Sequence, residues 1–203
     1  MNFLGHLWLA DRTGTSPAGA VLGDVVRGAD LSAYGGELAL GIRLHRRVDA
    51  LTDRHRLIAQ ARTAFPDGAR RYAGIVLDVA LDHALALDWT QHHALPLHRF
   101  CAQAARAVVR DAAAFAAAGA PAPREAGFTA LLLSYAEPGG IDHALRRIAA
   151  RMRDPAPLLQ AATRWPQAAR ELHGALPDLL GDLHLGAGEF LRAQAAAPAP
   201  PSS

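Results

Sequence analysis

IVLDVALDHALALDW, residues 75–89, reads as a helix that is apolar on nearly every side yet carries Asp78, Asp82, His83 and Asp88. Ionised carboxylates inside a protein are costly unless they are paired, hydrogen-bonded or bound to a metal, so this stretch needs a compensating partner. On a 3.6-residue helix Asp78 and Asp82 stack on one face, in line with Ile75 and Trp89. Two like charges pressed together raise one pKa unless a cation intervenes, and a divalent metal is the economical cation. His83 lies about 100° round the helix from Asp82, near enough for both to reach one ion. A plainer reading has Asp82 capping a neighbouring helix and His83 bonded to a carbonyl. For a single buried acid that reading competes evenly; for the trio a shared ion accounts for more.

A second segment repeats the pattern. GIRLHRRVDALTDRH, residues 41–55, sets His45, Asp49 and Asp53 at successive four-residue intervals beside Ile42, Leu44, Val48 and Leu51. His45 and Asp49 share a face, whereas Asp53 reads more simply as a solvated acid among arginines. NFLGHLWLA places His6 among large apolar residues, and AVLGDVVRG places Asp24 between Leu22 and Val25. Each is weak alone, since a histidine on an apolar face is more often a satisfied core group and a Gly-Asp step often ends a helix. Taken together, imidazoles and carboxylates from separate segments suit zinc, manganese or iron better than calcium. His92 and His93, at a helix end, and His55, His98, His143, His173 and His184 read as structural or exposed.

The rest of the chain fits an all-α fold. Apolar residues recur at three- and four-residue spacing and alternating β-type runs are scarce. The pattern predicts helices over 2–10, 17–28, 35–53, 56–64, 68–92, 95–118, 124–136, 140–152, 156–172 and 176–193. Ser16 before Pro17 is an expected N-cap, Asp67 another, and breaks are expected at Pro and Gly. With 203 residues of which 51% are hydrophobic, the chain can bury one sizeable core. The expected organisation is a single helical domain over 1–193 followed by a disordered tail over 194–203, whose AQAAAPAPPSS lacks large apolar groups.

All 21 basic residues are arginine and the net charge is +2, which permits a local basic face without choosing its partner. The lone cysteine excludes an internal disulfide framework and Cys-based zinc sites and fits a reducing cytoplasm. MNFLGHLWLADRTG has no basic region before its apolar residues and is too short to span a bilayer, so neither a signal peptide nor a membrane anchor is expected. There is no Walker-type glycine loop, no G-x-S-x-G elbow and no His-Glu-x-x-His.

MNFLGHLWLA, GAVLGDVVRG, GIRLHRRVDALTDRH and RRYAGIVLDVALDHALALDW, in that order and spacing, resemble the acyl carrier protein phosphodiesterase family, and the likeness continues through LSYAEPGGIDHALRRIAARM and more loosely to LPDLL. The resemblance implies a helical variant of the HD phosphohydrolases that uses a divalent metal, manganese being the usual one. Its implied reaction is hydrolysis of the phosphodiester joining 4'-phosphopantetheine to a serine of acyl carrier protein. The matching positions are His6, Asp24, His45, Asp49, Asp53, Asp78, Asp82 and His83. Of these, Asp24, His45, Asp82 and His83, with His6, are the expected ligands, and the resemblance rather than periodicity promotes His6 and Asp24. Two features depart from the family pattern: the Asp82–His83 order reverses the usual histidine-aspartate, and Val25, Val26 and Ala80 stand where aromatics are typical, which changes the pocket wall.

The expected mechanism is in-line attack on phosphorus by a metal-activated water. Asp49 or Asp78 would accept or orient its proton, and Arg46 or Arg43 would bind the non-bridging oxygens. The expected partner is holo-acyl carrier protein, a small acidic protein met by arginines of RLHRR, GARRY and ALRRIAARMR, with neither nucleic acid nor membrane involved. An HD-like phosphohydrolase acting on a nucleotide or other small phosphoester, and a catalytically silent helical binding module, are the alternatives.

Overall fold

The apolar stretch at residue 75 forms the heart of the molecule because it has no polar side to turn outward. In a computed structural model, which describes residues 1–196, the chain folds into helices α1 (Phe3–Thr13), α2 (Pro17–Leu22), α3 (Gly36–Arg54), α4 (Arg56–Thr63), α5 (Ala73–Leu87), α6 (Trp89–His92), α7 (Leu97–Arg110), α8 (Ala112–Ala117), α9 (Glu125–Ser134), α10 (Pro138–Ala149), α11 (Ala156–Ala162) and α12 (Trp165–Ala196). No strand occurs among the described residues, as the all-α reading requires. Helix α5 is buried almost throughout, Asp82 and His83 included, with α12 along its length and α1, α4 and α10 against its other faces. One continuous apolar core runs through the bundle, and each fully buried leucine in it, such as Leu4, Leu22, Leu85 and Leu132, contributes about 1.5–3 kcal/mol. None of the described helices is long and apolar enough to cross a membrane.

Several boundaries differ from the sequence reading, each for a local reason. Helix α2 starts where expected, with Ser16 Oγ accepting from the Gly19 amide at 3.0 Å, but ends at Leu22 rather than 28. Beyond it the guanidinium of Arg46 donates to the carbonyls of Val26 and Gly28 at 2.9 and 2.8 Å, which holds this segment as a loop against α3. Asp67 does not cap the central helix: the Ala69 and Arg70 amides bond the Pro66 carbonyl, a 3-10 turn at Arg70–Tyr72 follows, and α5 begins at Ala73. The expected break between residues 172 and 176 is absent, and α12 continues through Pro177. A proline inside a helix costs about 3 kcal/mol, less than is gained by burying Leu172, Leu176, Leu179, Leu180 and Leu183 on one face. The expected tail from residue 194 overlaps the end of this helix; residues 197–203 lie outside the described residues.

Two glycines set the crossing that matters for function. A Cβ on Gly19 would lie 2.8 Å from the Cα of Gly41, so α2 and α3 touch backbone to backbone there. Ala20 follows Gly19, and His45 lies one turn beyond Gly41 on the same face, so this close approach delivers a carbonyl of α2 to an imidazole of α3.

Candidate metal centre

His45 is buried, and its Nδ1 donates to the Ala20 carbonyl at 2.6 Å, which directs Nε2 away from α2 and toward the carboxylates. That Nε2 lies 3.1 Å from Asp49 Oδ2, one turn on along α3, and 3.4 Å from Asp24 Oδ1 in the turn after α2. His6 of α1, also buried, stacks on His45 with ring centroids 3.8 Å apart, and its Nε2 contacts the other Asp49 oxygen, Oδ1, at 2.9 Å. Asp49 is thus held through both oxygens by two imidazoles. The His6, His45 and Asp49 ligand atoms all lie within 4.8 Å of one another.

The charge state follows from these contacts. Burial works against a proton on His45, but the hydrogen bonds and charges of Asp24 and Asp49 overcome it and raise its pKa to about 9. Burial and the neighbouring His45 push His6 below the ordinary imidazole value. Burial alone would raise the Asp49 carboxyl, yet hydrogen bonds from His45 and His6 hold it well below the usual carboxylate range. The donor set fits a divalent transition metal: two imidazole nitrogens and a carboxylate converge, and one imidazole has its other nitrogen fixed by a carbonyl, the outer support typical of ligating histidines. Gly23 belongs to that support, since a Cβ there would lie 2.2 Å from the His45 ring.

The two halves of the Asp82–His83 pair do other work. Asp82 accepts from the amides of Asn2, Leu4 and Gly5 at 3.2, 2.7 and 3.1 Å, so it caps α1, whose own N-cap residue makes no side-chain cap. Its burial pushes the carboxyl up to about 7, against the pull of the amino-terminal ammonium and those amides. His83 Nδ1 donates to the Tyr135 carbonyl at 2.6 Å, and its ring meets Trp165 edge-on. Asp82, expected among the ligands, thus spends both oxygens on the start of α1, and His83, fixed through Nδ1 as His45 is, stands outside the His6, His45 and Asp49 group. Asp78, on the same face of α5, accepts from the buried ammonium of Met1 at 2.5 Å, and that ammonium lies 4.0 Å from Asp49. Arg46, expected on the phosphate, has its fork on the loop carbonyls of Val26 and Gly28. Asp53 is exposed and paired with Arg62.

A cavity of ≈ 300 Å³ adjoins the centre, and Asp24, Asp49 and Asp78 form its acidic wall. Phe3, Ile75, Leu131 and Ile148 supply apolar surface, and Tyr135, Arg147 and Arg151 complete it. Tyr135 and Arg147 lie in the LSYAEPGGIDHALRRIAARM stretch without having stood out in the sequence, because nothing in helical spacing marks a tyrosine or one arginine of many as facing a cavity.

The chain matches the family model for acyl carrier protein phosphodiesterase over residues 1–183. It is similar to the acyl carrier protein phosphodiesterases of Photorhabdus laumondii (48% identical over 89 residues, 44% of this chain and 45% of that one) and Pectobacterium atrosepticum (50% over 91 residues, 45% and 47%). That of Klebsiella pneumoniae is 42% identical over 110 residues, 54% of this chain and 57% of that one. The matched region thus spans about half the length of these relatives. No solved structure matches the chain. With the family model covering nearly all of the helical bundle, including every residue of the His6–His45–Asp49 centre, the chain belongs to the acyl carrier protein phosphodiesterase family.

Proposed function

We propose that this protein is a metal-dependent phosphodiesterase that hydrolyses the bond between an acyl carrier protein serine and 4'-phosphopantetheine, releasing apo-acyl carrier protein. The observation that carries the reading is the double role of Asp49, which binds both imidazoles and lines the cavity. His6, His45 and Asp49 are the proposed ligands, with Asp24 the next donor at hand. A divalent ion held there, manganese in this proposal, would supply Lewis acidity and lower the pKa of a bound water. Asp78 lines the cavity and is available to orient the attacking water, while the Met1 ammonium balances its charge. Asp82 acts indirectly, by fixing the start of α1 and hence His6, four residues after Asn2. Water adds to phosphorus, the phosphorus–serine oxygen bond breaks, and the serine oxygen takes up a proton.

Holo-acyl carrier protein is the proposed partner, and the cytoplasm the proposed site of action. Mass spectrometry of holo-acyl carrier protein incubated with the protein and manganese tests the reading. Loss of the phosphopantetheine mass, abolished by chelation and restored by metal, is the expected result. An intact carrier protein alongside hydrolysis of a generic phosphodiester such as bis(p-nitrophenyl) phosphate would transfer the assignment to a small phosphoester.

A further inference from the structure

The acidic residues and the metal they would hold account for one wall of the cavity and leave its other polar groups without a role. Tyr135 is 1% exposed, and its hydroxyl oxygen accepts from Asn2 Nδ2 at 2.9 Å. With that lone pair used, the phenolic proton has no acceptor among the described residues, and a buried donor left unbonded is costly. Burial, with the charges of Asp82 and Asp24, keeps the phenol well above its ordinary pKa against the pull of Arg147, so it stays protonated and keeps its O–H available to donate. Arg147 lines the same cavity as the phenol. Among the described residues the arginine ion pairs are Arg62–Asp53, Arg70–Asp67 and Arg106–Glu125, which leaves Arg147 unpaired although three carboxylates line the same cavity.

A neutral phenol donor and an unpaired guanidinium lining one cavity form a recognition pair for an anionic oxygen, because each offers N–H or O–H and neither brings a negative charge. The geometry points to Tyr135 and Arg147 as the pair that grips the non-bridging phosphoryl oxygens of the substrate, taking the role that Arg46 cannot fill while it holds the loop after α2. The inference rests on the phosphodiesterase reading above and assigns its phosphate-binding residues. It gives α1 a further function: Asn2, fixed by its amide to Asp82, fixes the Tyr135 hydroxyl through its side chain, so the start of one helix sets both His6 and the phosphate donor.

The test is calorimetric titration of inorganic phosphate into the manganese-loaded protein, with steady-state kinetics on holo-acyl carrier protein and bis(p-nitrophenyl) phosphate run in parallel. Arg147→Gln is expected to weaken phosphate binding by about tenfold to a hundredfold and Tyr135→Phe by about threefold to tenfold, with KM for whichever diester is hydrolysed rising in step. Arg146→Gln removes the same charge from the neighbouring position, which does not line the cavity, and should leave phosphate affinity unchanged. Unchanged affinity in both Arg147→Gln and Tyr135→Phe, or an equal loss in Arg146→Gln, overturns the assignment. If both variants lose phosphate affinity but the wild-type protein leaves holo-acyl carrier protein intact, the phosphate site stands and the carrier-protein reading fails.

Discussion

Gly23 offers a sharp perturbation of the metal centre because alanine there is harmless to the backbone and harmful to one side chain. Its φ of −53° and ψ of −34° are helical, so Gly23→Ala carries no conformational strain and by chain entropy alone would stabilise the protein by about 0.4–1 kcal/mol. The new Cβ, however, would sit 2.2, 2.3 and 2.6 Å from Cγ, Cδ2 and Cβ of His45. Carbon atoms pack at about 3.5–4.0 Å, so the ring must retreat by about 1 Å or more. It cannot do so and keep its 2.6 Å bond to the Ala20 carbonyl, its 3.1 Å approach to Asp49 and its stacking on His6. Overpacking of this kind costs about 1–3 kcal/mol, which cancels or exceeds the entropic gain. Loss of the support that orients a ligating histidine weakens metal binding by about 10–100-fold. Manganese titration followed by the electron paramagnetic resonance signal of the free ion reads the affinity, and thermal melting with and without metal reads the stability. A Gly23→Ala protein that binds manganese like the wild type and melts higher would show that His45 is neither crowded nor a ligand.

Further expectations follow from the same contacts. Asp82→Ala strips the cap from α1 and leaves buried amides of Leu4 and Gly5 unbonded, which should cost about 2–4 kcal/mol in urea unfolding, with Asp82→Asn recovering part of the loss through its remaining carbonyl oxygen; equal stability of all three proteins would count against the capping role. His45 has a folded pKa of about 9 against an ordinary 6.5, so its contribution to the stability of the metal-free protein is complete below pH 6.5 and is lost as pH rises through 9. The urea midpoint of chelated protein should therefore fall between pH 6.5 and 9, and His45→Gln should flatten that slope; a midpoint that rises over the interval contradicts the assignment. Because an ion must displace the same proton, manganese affinity should strengthen as pH is raised toward 9, by up to about tenfold per unit. A pH-independent dissociation constant would exclude His45 from the ligand set.

The helices were legible in the sequence because their signal is local. The apolar positions of α5 and α3 recur at helical spacing, and Ser16–Pro17 marks the start of α2 by cap chemistry that needs no tertiary contact. The ionisable cluster was legible as a set of residues, but its internal pairing was not. Whether Asp82 meets a metal or a helix end depends on the amides of Asn2, Leu4 and Gly5, nearly eighty positions away, which reach it only once α1 has packed on α5. The same reasoning hid the function of Arg46, whose acceptors are loop carbonyls that exist because α2 unwinds at Leu22. Pro177 shows the converse, a strong local stop signal overruled by a leucine face whose burial is a property of the whole bundle.

Anomalous scattering at the manganese edge from crystals of the metal-loaded protein would identify the ion's ligands. A peak is expected within bonding distance of His6 Nε2, His45 Nε2 and an Asp49 carboxylate oxygen. A peak bounded instead by Asp82 and His83, or none beside Asp49, would contradict that ligand set.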